Sequence, residues 1–209
     1  MSISAFWNEL ISGIQQTGWL EYIAVFAGIT SVWFSRKENI WVYPTGLINT
    51  IIYVWLSFDT GLFGEASVNF YYTVMSIYGW ILWTRRDRQH HLVLHIKFSS
   101  AREWMIQLGF FSVFYAGIFF ALSYLKKEFA PQAIPWADAF ASATAYTGMW
   151  LMAKKKVESW YWWIATNIAS IPLYFIKGLA FTSVYYLVLL IMAFFGLAEW
   201  SRRARTVTA

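Results

Sequence analysis

The chain has no cysteine, which excludes disulfides, thiolate metal ligands and a thiol nucleophile. Charge is scarce too. Only 13% of the 209 residues are charged, about half the ~25% that a soluble domain carries. Histidine occurs three times, at His90, His91 and His95, all within the basic stretch "TRRDRQHHLVLHIKF", where a solvated loop explains them better than metal binding. No G-x-S-x-G, H-E-x-x-H or phosphate-cradling glycine loop is present. The N-terminus lacks the basic start and cleavage site of a secretory signal peptide. These absences argue against an enzyme and leave no catalytic residue, metal site or cofactor to propose.

What is abundant is apolar surface. Hydrophobic residues make up 59% of the chain and the mean hydropathy is +0.46. Runs such as Ile40–Phe58, Trp104–Leu125 and Ala180–Trp200 approach the roughly 20 residues that cross a bilayer as a helix. The sequence predicts an all-α membrane protein with seven transmembrane helices, near 19–35, 40–58, 66–84, 104–125, 136–153, 159–176 and 180–200. Before them, "AFWNELISGI" places Phe6, Trp7, Leu10, Ile11 and Ile14 at helical spacing, as in a short amphipathic helix lying in the interface. With the N-terminus outside, 13 of the 16 basic residues fall on cytoplasmic flanks, as the positive-inside rule requires. Only Lys126, Lys127 and Lys177 remain outside. The net charge of +5 therefore needs no nucleic acid to explain it.

A shift of 117 residues lays Trp19–Arg86 over Trp136–Arg203. Trp19, Trp33 and Trp83 then fall on Trp136, Trp150 and Trp200. Ala24, Thr30, Lys37, Gly61, Leu62, Met75, Gly79, Arg85 and Arg86 also meet identical residues. Within the second helix of each set the register slips by one, which brings Asn49 onto Asn167. Two three-helix units separated by one helix run in the same direction. This 3+1+3 arrangement of parallel repeats is that of SWEET-type transporters, which bind substrate between the repeats near the midplane. The expected organisation is an interfacial helix over 1–18, a first repeat over 19–86, a cytoplasmic loop and linker helix over 87–135, a second repeat over 136–203 and a cytoplasmic tail over 204–209.

Polar groups inside a span need a partner or a purpose. In "ESWYWWIATNIAS" and the residues after it, Trp160, Trp163, Asn167, Ser170 and Tyr174 share one helical face. At about 1.5 Å per residue, Asn167 lies roughly 16 Å above Lys156, Trp163 about 10 Å and Trp160 about 6 Å. Trp163 and Asn167 are thus expected to face substrate near mid-membrane. Trp160 fits either the aromatic belt or a cytoplasmic gate, and Trp162, off that face, fits the belt. The stretch "YPTGLINTIIY" adds Pro44 and Gly46 as a loosened segment, with Asn49 and Tyr53 deeper on one face. The next span adds Asn69, Tyr72 and Ser76. Glu21 and Asp138 recur at equivalent outer helix ends, where helix N-termini favour negative charge. With Glu9, Asp59, Glu65 and Glu128 they make a mildly negative outer vestibule. Tryptophan and tyrosine faces hold cations and stack on planar rings, and an asparagine amide offers a donor and an acceptor together. The site suits a small, flat, cationic ligand with polar edges.

The stretches "YPTGLIN" (43–49), "NFYYTVMSIYGW" (69–80), "TGMWLMAKKKVESWYWWIATN" (147–167) and "IPLYFIKGLAFTSVYYLVLL" (171–190) resemble the PnuC family of bacterial vitamin transporters. Similarity covers nearly all of residues 19–203. The family's pattern E-N-W-x-x-W-x-x-x-(N/D) is matched by Glu158, Trp160, Trp163 and Asn167. Ser159 replaces the usual Asn, and Asn69 stands where many relatives have Gln. The resemblance implies a SWEET-like fold, a homotrimer in the bacterial inner membrane, and facilitated diffusion of nicotinamide riboside. It also implies metabolic trapping, as a cytoplasmic ribosylnicotinamide kinase phosphorylates the ligand. A thiamine transporter of the same family (PnuT-like) is the nearer alternative, since thiamine is also a flat cation. A non-transporting membrane scaffold is the more distant one.

Overall fold

The computed structural model describes residues 3–16, 18–59, 63–126 and 133–207. The side chain of Glu9, and residues Gly61, Leu62, Lys127 and Glu128, lie outside the described residues. Eight helices follow one another: α1 (Ile3–Gln16), α2 (Trp19–Arg36), α3 (Val42–Asp59), α4 (Phe63–Thr84), α5 (Ala101–Leu125), α6 (Pro135–Ala153), α7 (Ser159–Ile176) and α8 (Ala180–Val207). No strand is present among the described residues. Two isolated β-bridges, Arg86 with Leu92 and Lys97 with Lys156, pin the α4–α5 connection.

The expected spans each fall on a helix of α2–α8, with one clear extension. The last helix continues past Trp200 to Val207, where a tail was expected. The cause is local: Glu199 pairs with Arg202 at 2.8 Å and with Arg203 at 2.9 Å, the (i, i+3) and (i, i+4) spacings that support a helix surface. Pro44 also differs from expectation. It stands in the first turn of α3, where its missing N–H would have had no helical partner. The interior proline is Pro172, in α7; it removes the donor that the Ile168 carbonyl would otherwise accept from. Between α7 and α8, Gly178 takes φ 75°, a left-handed turn that glycine adopts without steric cost.

Helices α2, α3 and α4 pack in sequence, as do α6, α7 and α8, and the contacts α4–α6 and α2–α8 close the six into a ring. Helices α3 and α7 face each other across that ring with no backbone contact between them. Helix α5 lies outside against α6, and α1 against α8. Water supplies no hydrophobic force between helices in lipid, so close packing there relies on small residues. Helix α6 supplies them, with Ala139, Ala143, Ala145 and Gly148 all buried.

The densest core lies at the end of the ring that carries the basic loops. Tyr43, Trp83, Met152, Trp160 and Trp200 are buried there, with Ile96 inserted from the α4–α5 connection. The same contacts recur 117 residues apart. Tyr43 meets Trp83 edge-on at 5.2 Å, and Trp160 meets Trp200 edge-on at 5.6 Å. Trp83 Nε1 donates to the Ala153 carbonyl at the end of α6, and Trp200 Nε1 to the Ser35 carbonyl near the end of α2. A Cβ added at Gly79 would collide with the Tyr43 ring, and one added at Gly196 with the Trp160 ring. Glu38 and Lys155 both take left-handed backbone, at φ 58° and 52°, a conformation uncommon outside glycine. What holds them there is partly each other: Lys155 Nζ reaches Glu38 Oε1 at 2.7 Å.

Candidate functional site

The facing helices α3 and α7 hold most of the polar candidates. Trp163 lies with its indole against Gly148 of α6, where an added Cβ would stand 3.3 Å from three indole atoms. Its other neighbour is Tyr72 of α4, with ring centroids 6.0 Å apart and planes tilted by 53°. Tyr72 in turn meets Tyr146 edge-on at 6.4 Å, and Tyr146 stacks on Tyr71 at 4.2 Å. These rings form one aromatic wall running from α7 across α4 to α6. A flat ligand clamped between two parallel rings needs about 7 Å between them, twice the van der Waals contact. The Tyr72–Trp163 pair is closer and tilted, so a ring entering between them must push Tyr72 or Trp163 aside.

Asn167 stands one helical turn above Trp163. It is 3% exposed, and its amide hydrogen-bonds to no other described residue. With no hydrogen-bond partner among the described residues, this amide is available to a ligand, to which it can both donate and accept. Ser170, one turn further, is buried and meets Tyr186. Ser76 is buried on α4 beside Gly46 of α3.

Asn49 behaves differently from Asn167. Its Nδ2 donates to the Ala24 carbonyl at 2.7 Å, which ties α3 to α2. Gly28 makes this possible: a Cβ there would stand 2.8 Å from Asn49 Nδ2 and 2.6 Å from Tyr185 Oη. Asn69 is turned onto its own helix, where Nδ2 donates to the Glu65 carbonyl at 3.0 Å. Each of these amides therefore has one of its two N–H donors committed, while its oxygen accepts no hydrogen bond among the described residues.

Toward the end opposite the lysines the character changes. Tyr174 stacks on Tyr186 at 5.1 Å, and Tyr185 meets Tyr186 at 5.8 Å. The Tyr174 hydroxyl meets the Glu65 carboxylate, and Tyr53 lies within electrostatic reach of Tyr185, Glu21 and Glu65. Asp138 is paired with Lys177 at 2.6 Å and accepts from the Ile134 backbone N–H at 2.7 Å. That pairing neutralises one carboxylate of the expected vestibule and leaves Glu21, Asp59 and Glu65 as its other described carboxylates.

The two tryptophans of uncertain role are placed by their partners. Trp160 is 1% exposed and packed on Trp200 and Gly196, so it belongs to the core of the basic end and not to an aromatic belt. Its Nε1, like the Tyr43 hydroxyl, is buried without a hydrogen-bond partner. Trp162 also departs from the belt reading. Its Nε1 donates to Gln107 Oε1 at 3.2 Å and its ring packs on Phe111, which docks α7 against α5. Gln107 Nε2 donates to Ser99 Oγ at 2.8 Å, and Ser99 donates through N and Oγ to the two Glu158 oxygens at 2.8 and 2.7 Å. The motif carboxylate Glu158 is thereby an anchor for the α4–α5 connection. Lys154, just past the end of α6, is held below the ordinary lysine range, chiefly by burial and then by neighbouring Lys156. Of the histidines, His91 lies 3.8 Å from Asp87, and no cluster that could hold a metal ion occurs among the described residues.

Sequence reasoning did not single out Gly28, Tyr146, Gly148, Tyr185 or Tyr186. A signal existed for the glycines. Each costs roughly 0.5–1 kcal/mol in a helix interior relative to alanine, which points to a close approach. The tyrosine pair stands inside "SVYYLVLL", where an apolar run hides it.

Nicotinamide riboside transporter PnuC of Escherichia coli K12 is 25% identical over 214 residues, covering 93% of this chain and 90% of that protein. Riboflavin/roseoflavin transporter RibM of Streptomyces davaonensis is 22% identical over 191 residues, covering 90% and 86%. The crystal structure of the vitamin B3 transporter PnuC superposes with a TM-score of 0.72 at 21% identity, covering 98% of this chain and 90% of that one; at that identity it speaks for the fold. The family described as nicotinamide mononucleotide transporter matches residues 18–202, and the chain belongs to this family of membrane transporters.

Proposed function

We propose that the protein carries nicotinamide riboside across the bacterial inner membrane by facilitated diffusion, with the ligand held between α3 and α7. The observation that carries this reading is Asn167, a buried residue one turn above Trp163 whose amide hydrogen-bonds to no other described residue, beside an aromatic wall of Tyr72 and Tyr146. A pyridinium is flat and cationic and suits the ring faces; its carboxamide suits an asparagine, which can donate and accept at once. The ribose hydroxyls would meet the oxygens of Asn49 and Asn69, Ser76, and the Tyr53 and Tyr174 hydroxyls toward the acidic end. The relatives named for nicotinamide riboside support this choice over thiamine.

In this reading the chain is organised as two three-helix repeats, 19–86 and 136–203, about an axis along the membrane normal, with α5 as the linker of a SWEET-like 3+1+3 arrangement. The support is the recurrence of ring pairs, indole hydrogen bonds and left-handed loop residues 117 positions apart. The N-terminus lies outside and the basic end is cytoplasmic. The structure then corresponds to a state shut on the cytoplasmic side, with Trp160 and its counterpart Tyr43 sealing the exit below Trp163. Rocking of the two bundles would open it. Phosphorylation by a cytoplasmic kinase makes the ligand anionic; the wall of Trp163, Tyr72 and Tyr146 offers it no cation, and Lys177, over the Tyr174 ring at 5.8 Å, is already paired with Asp138. Uptake would thus be one-way without an ion gradient. A homotrimer is the expected assembly.

The test is ligand binding to the purified full-length protein with nicotinamide riboside, thiamine and riboflavin, followed by uptake into liposomes with and without a proton gradient. Tight binding of nicotinamide riboside alone, with gradient-independent uptake, is the expected result. Preference for thiamine or riboflavin would transfer the site to that vitamin, and binding of none would favour a scaffold.

A further inference from the structure

We propose that the groove between α2 and α8 at the basic end binds an anionic phospholipid, with one acyl chain in the groove and its phosphate on Arg36 and Lys37. The groove has a volume of about 370 Å³ and is lined by Ile29, Thr30, Trp33, Ile191, Met192 and Phe195, with Arg36 at its end. From Ile29 to Arg36 is seven residues, about 10 Å along the helix, enough for roughly half of a lipid tail. Arg36 stands over the rings of Trp33 and Phe195, at 5.1 and 5.3 Å, and Lys37 over Trp33 at 4.8 Å. Neither cation has a carboxylate within salt-bridge distance among the described residues. Two cations beside a lipid-facing apolar groove complement one phosphate with its tail.

The other side of the molecule shows what such a groove accepts. Trp150 and Lys154 stand 117 residues after Trp33 and Lys37, and Lys154 likewise sits over its tryptophan, at 4.2 Å. There, however, α5 fills the space. Phe110 stacks on Trp150 at 4.8 Å, and Phe114 covers Tyr146 at 5.2 Å and Tyr71 at 6.4 Å. No described helix takes that place on the α2–α8 side, where Trp33, Ile191 and Phe195 are exposed. A second copy of α5 fits poorly. Its one acidic residue, Glu103, is already bound to Lys156 at 2.6 Å, so it brings no free carboxylate to Arg36 and Lys37. A phosphate supplies the missing negative charge.

Native mass spectrometry of the full-length protein, released from detergent with added dioleoyl phosphatidylglycerol or dioleoyl phosphatidylcholine, tests this directly. Phosphatidylglycerol should remain bound and phosphatidylcholine should not. Each cation near a lipid phosphate is worth about 1 kcal/mol, so Arg36→Ala with Lys37→Ala should lower the phosphatidylglycerol affinity roughly thirty-fold. Arg85→Ala with Arg88→Ala, on the exposed loop, should leave it unchanged. Ile29→Trp, which fills the groove and keeps both charges, should also expel the lipid. Equal retention of the two lipids, or full retention by either groove variant, would overturn the proposal. So would a loss of oligomeric state in Trp33→Ala with Phe195→Ala, which would assign the groove to a second chain.

Discussion

The two ends of the helical ring are built differently. At the basic end, Tyr43, Trp83, Trp160 and Trp200 interlock, and Lys155, only 2% exposed, is held by Glu38 and the Leu94 carbonyl over the Trp83 ring. At the opposite end the rings are tyrosines whose hydroxyls meet one another and Glu65. Rings packed edge-to-face on one another, with Tyr43 and Trp160 flush against glycines, leave no room for a ligand. Tyrosines with hydroxyls along a gap can exchange one hydrogen-bond partner for another. A transporter shut at one end and adaptable at the other would be built this way.

Disturbing the sealed end should have the largest effects. Glu38→Ala leaves Lys155 as an uncompensated buried cation, since its remaining acceptor is the Leu94 carbonyl; breaking such a pair costs about 3–5 kcal/mol. A clear loss of thermal stability in detergent is expected, whereas Glu38→Ala at the wild-type melting temperature would mean the pair does not hold the seal. Gly196→Ala pushes a methyl into the Trp160 ring, a strain of roughly 1–3 kcal/mol. Gly79→Ala should do the same against Tyr43. Spin labels at the basic end should report a shift toward an open state in both, and a shift in only one would break the equivalence of Tyr43 and Trp160. Trp162→Phe leaves the buried Gln107 oxygen without its donor and should cost about 1–3 kcal/mol, with ligand binding retained. A binding defect there would move the site toward α5.

Much of this was legible in the sequence because membrane helices must satisfy their own backbone, so long apolar runs mark spans directly. The seven runs fall on helices α2–α8, of which α5 and α8 are long and apolar enough to cross a membrane by length and composition, and the register of 117 pairs Trp83 with Trp200, whose indoles make matching bonds. What escaped depended on neighbours in space. Spacing placed Trp162 off the binding face but could not reveal Gln107, which lies 55 residues away in sequence. Asn49 and Asn167 look alike in an alignment of the two halves. Only Gly28, by admitting Asn49 to the Ala24 carbonyl, makes one a tether and leaves the other unpartnered. Trp160 at about 6 Å above the lysines was compatible with a belt, and its burial follows from Gly196, a residue 36 positions on.

The central claim rests on the pair Trp163 and Asn167, so calorimetric titration of nicotinamide riboside into the wild type, Trp163→Ala and Asn167→Ala tests it most directly. Loss of a stacking face should weaken binding by about 1–2 kcal/mol, close to thirty-fold at the upper end. Loss of the amide should cost about 1–3 kcal/mol, with both variants still folded by thermal melt. Unchanged affinity in both variants would contradict the account.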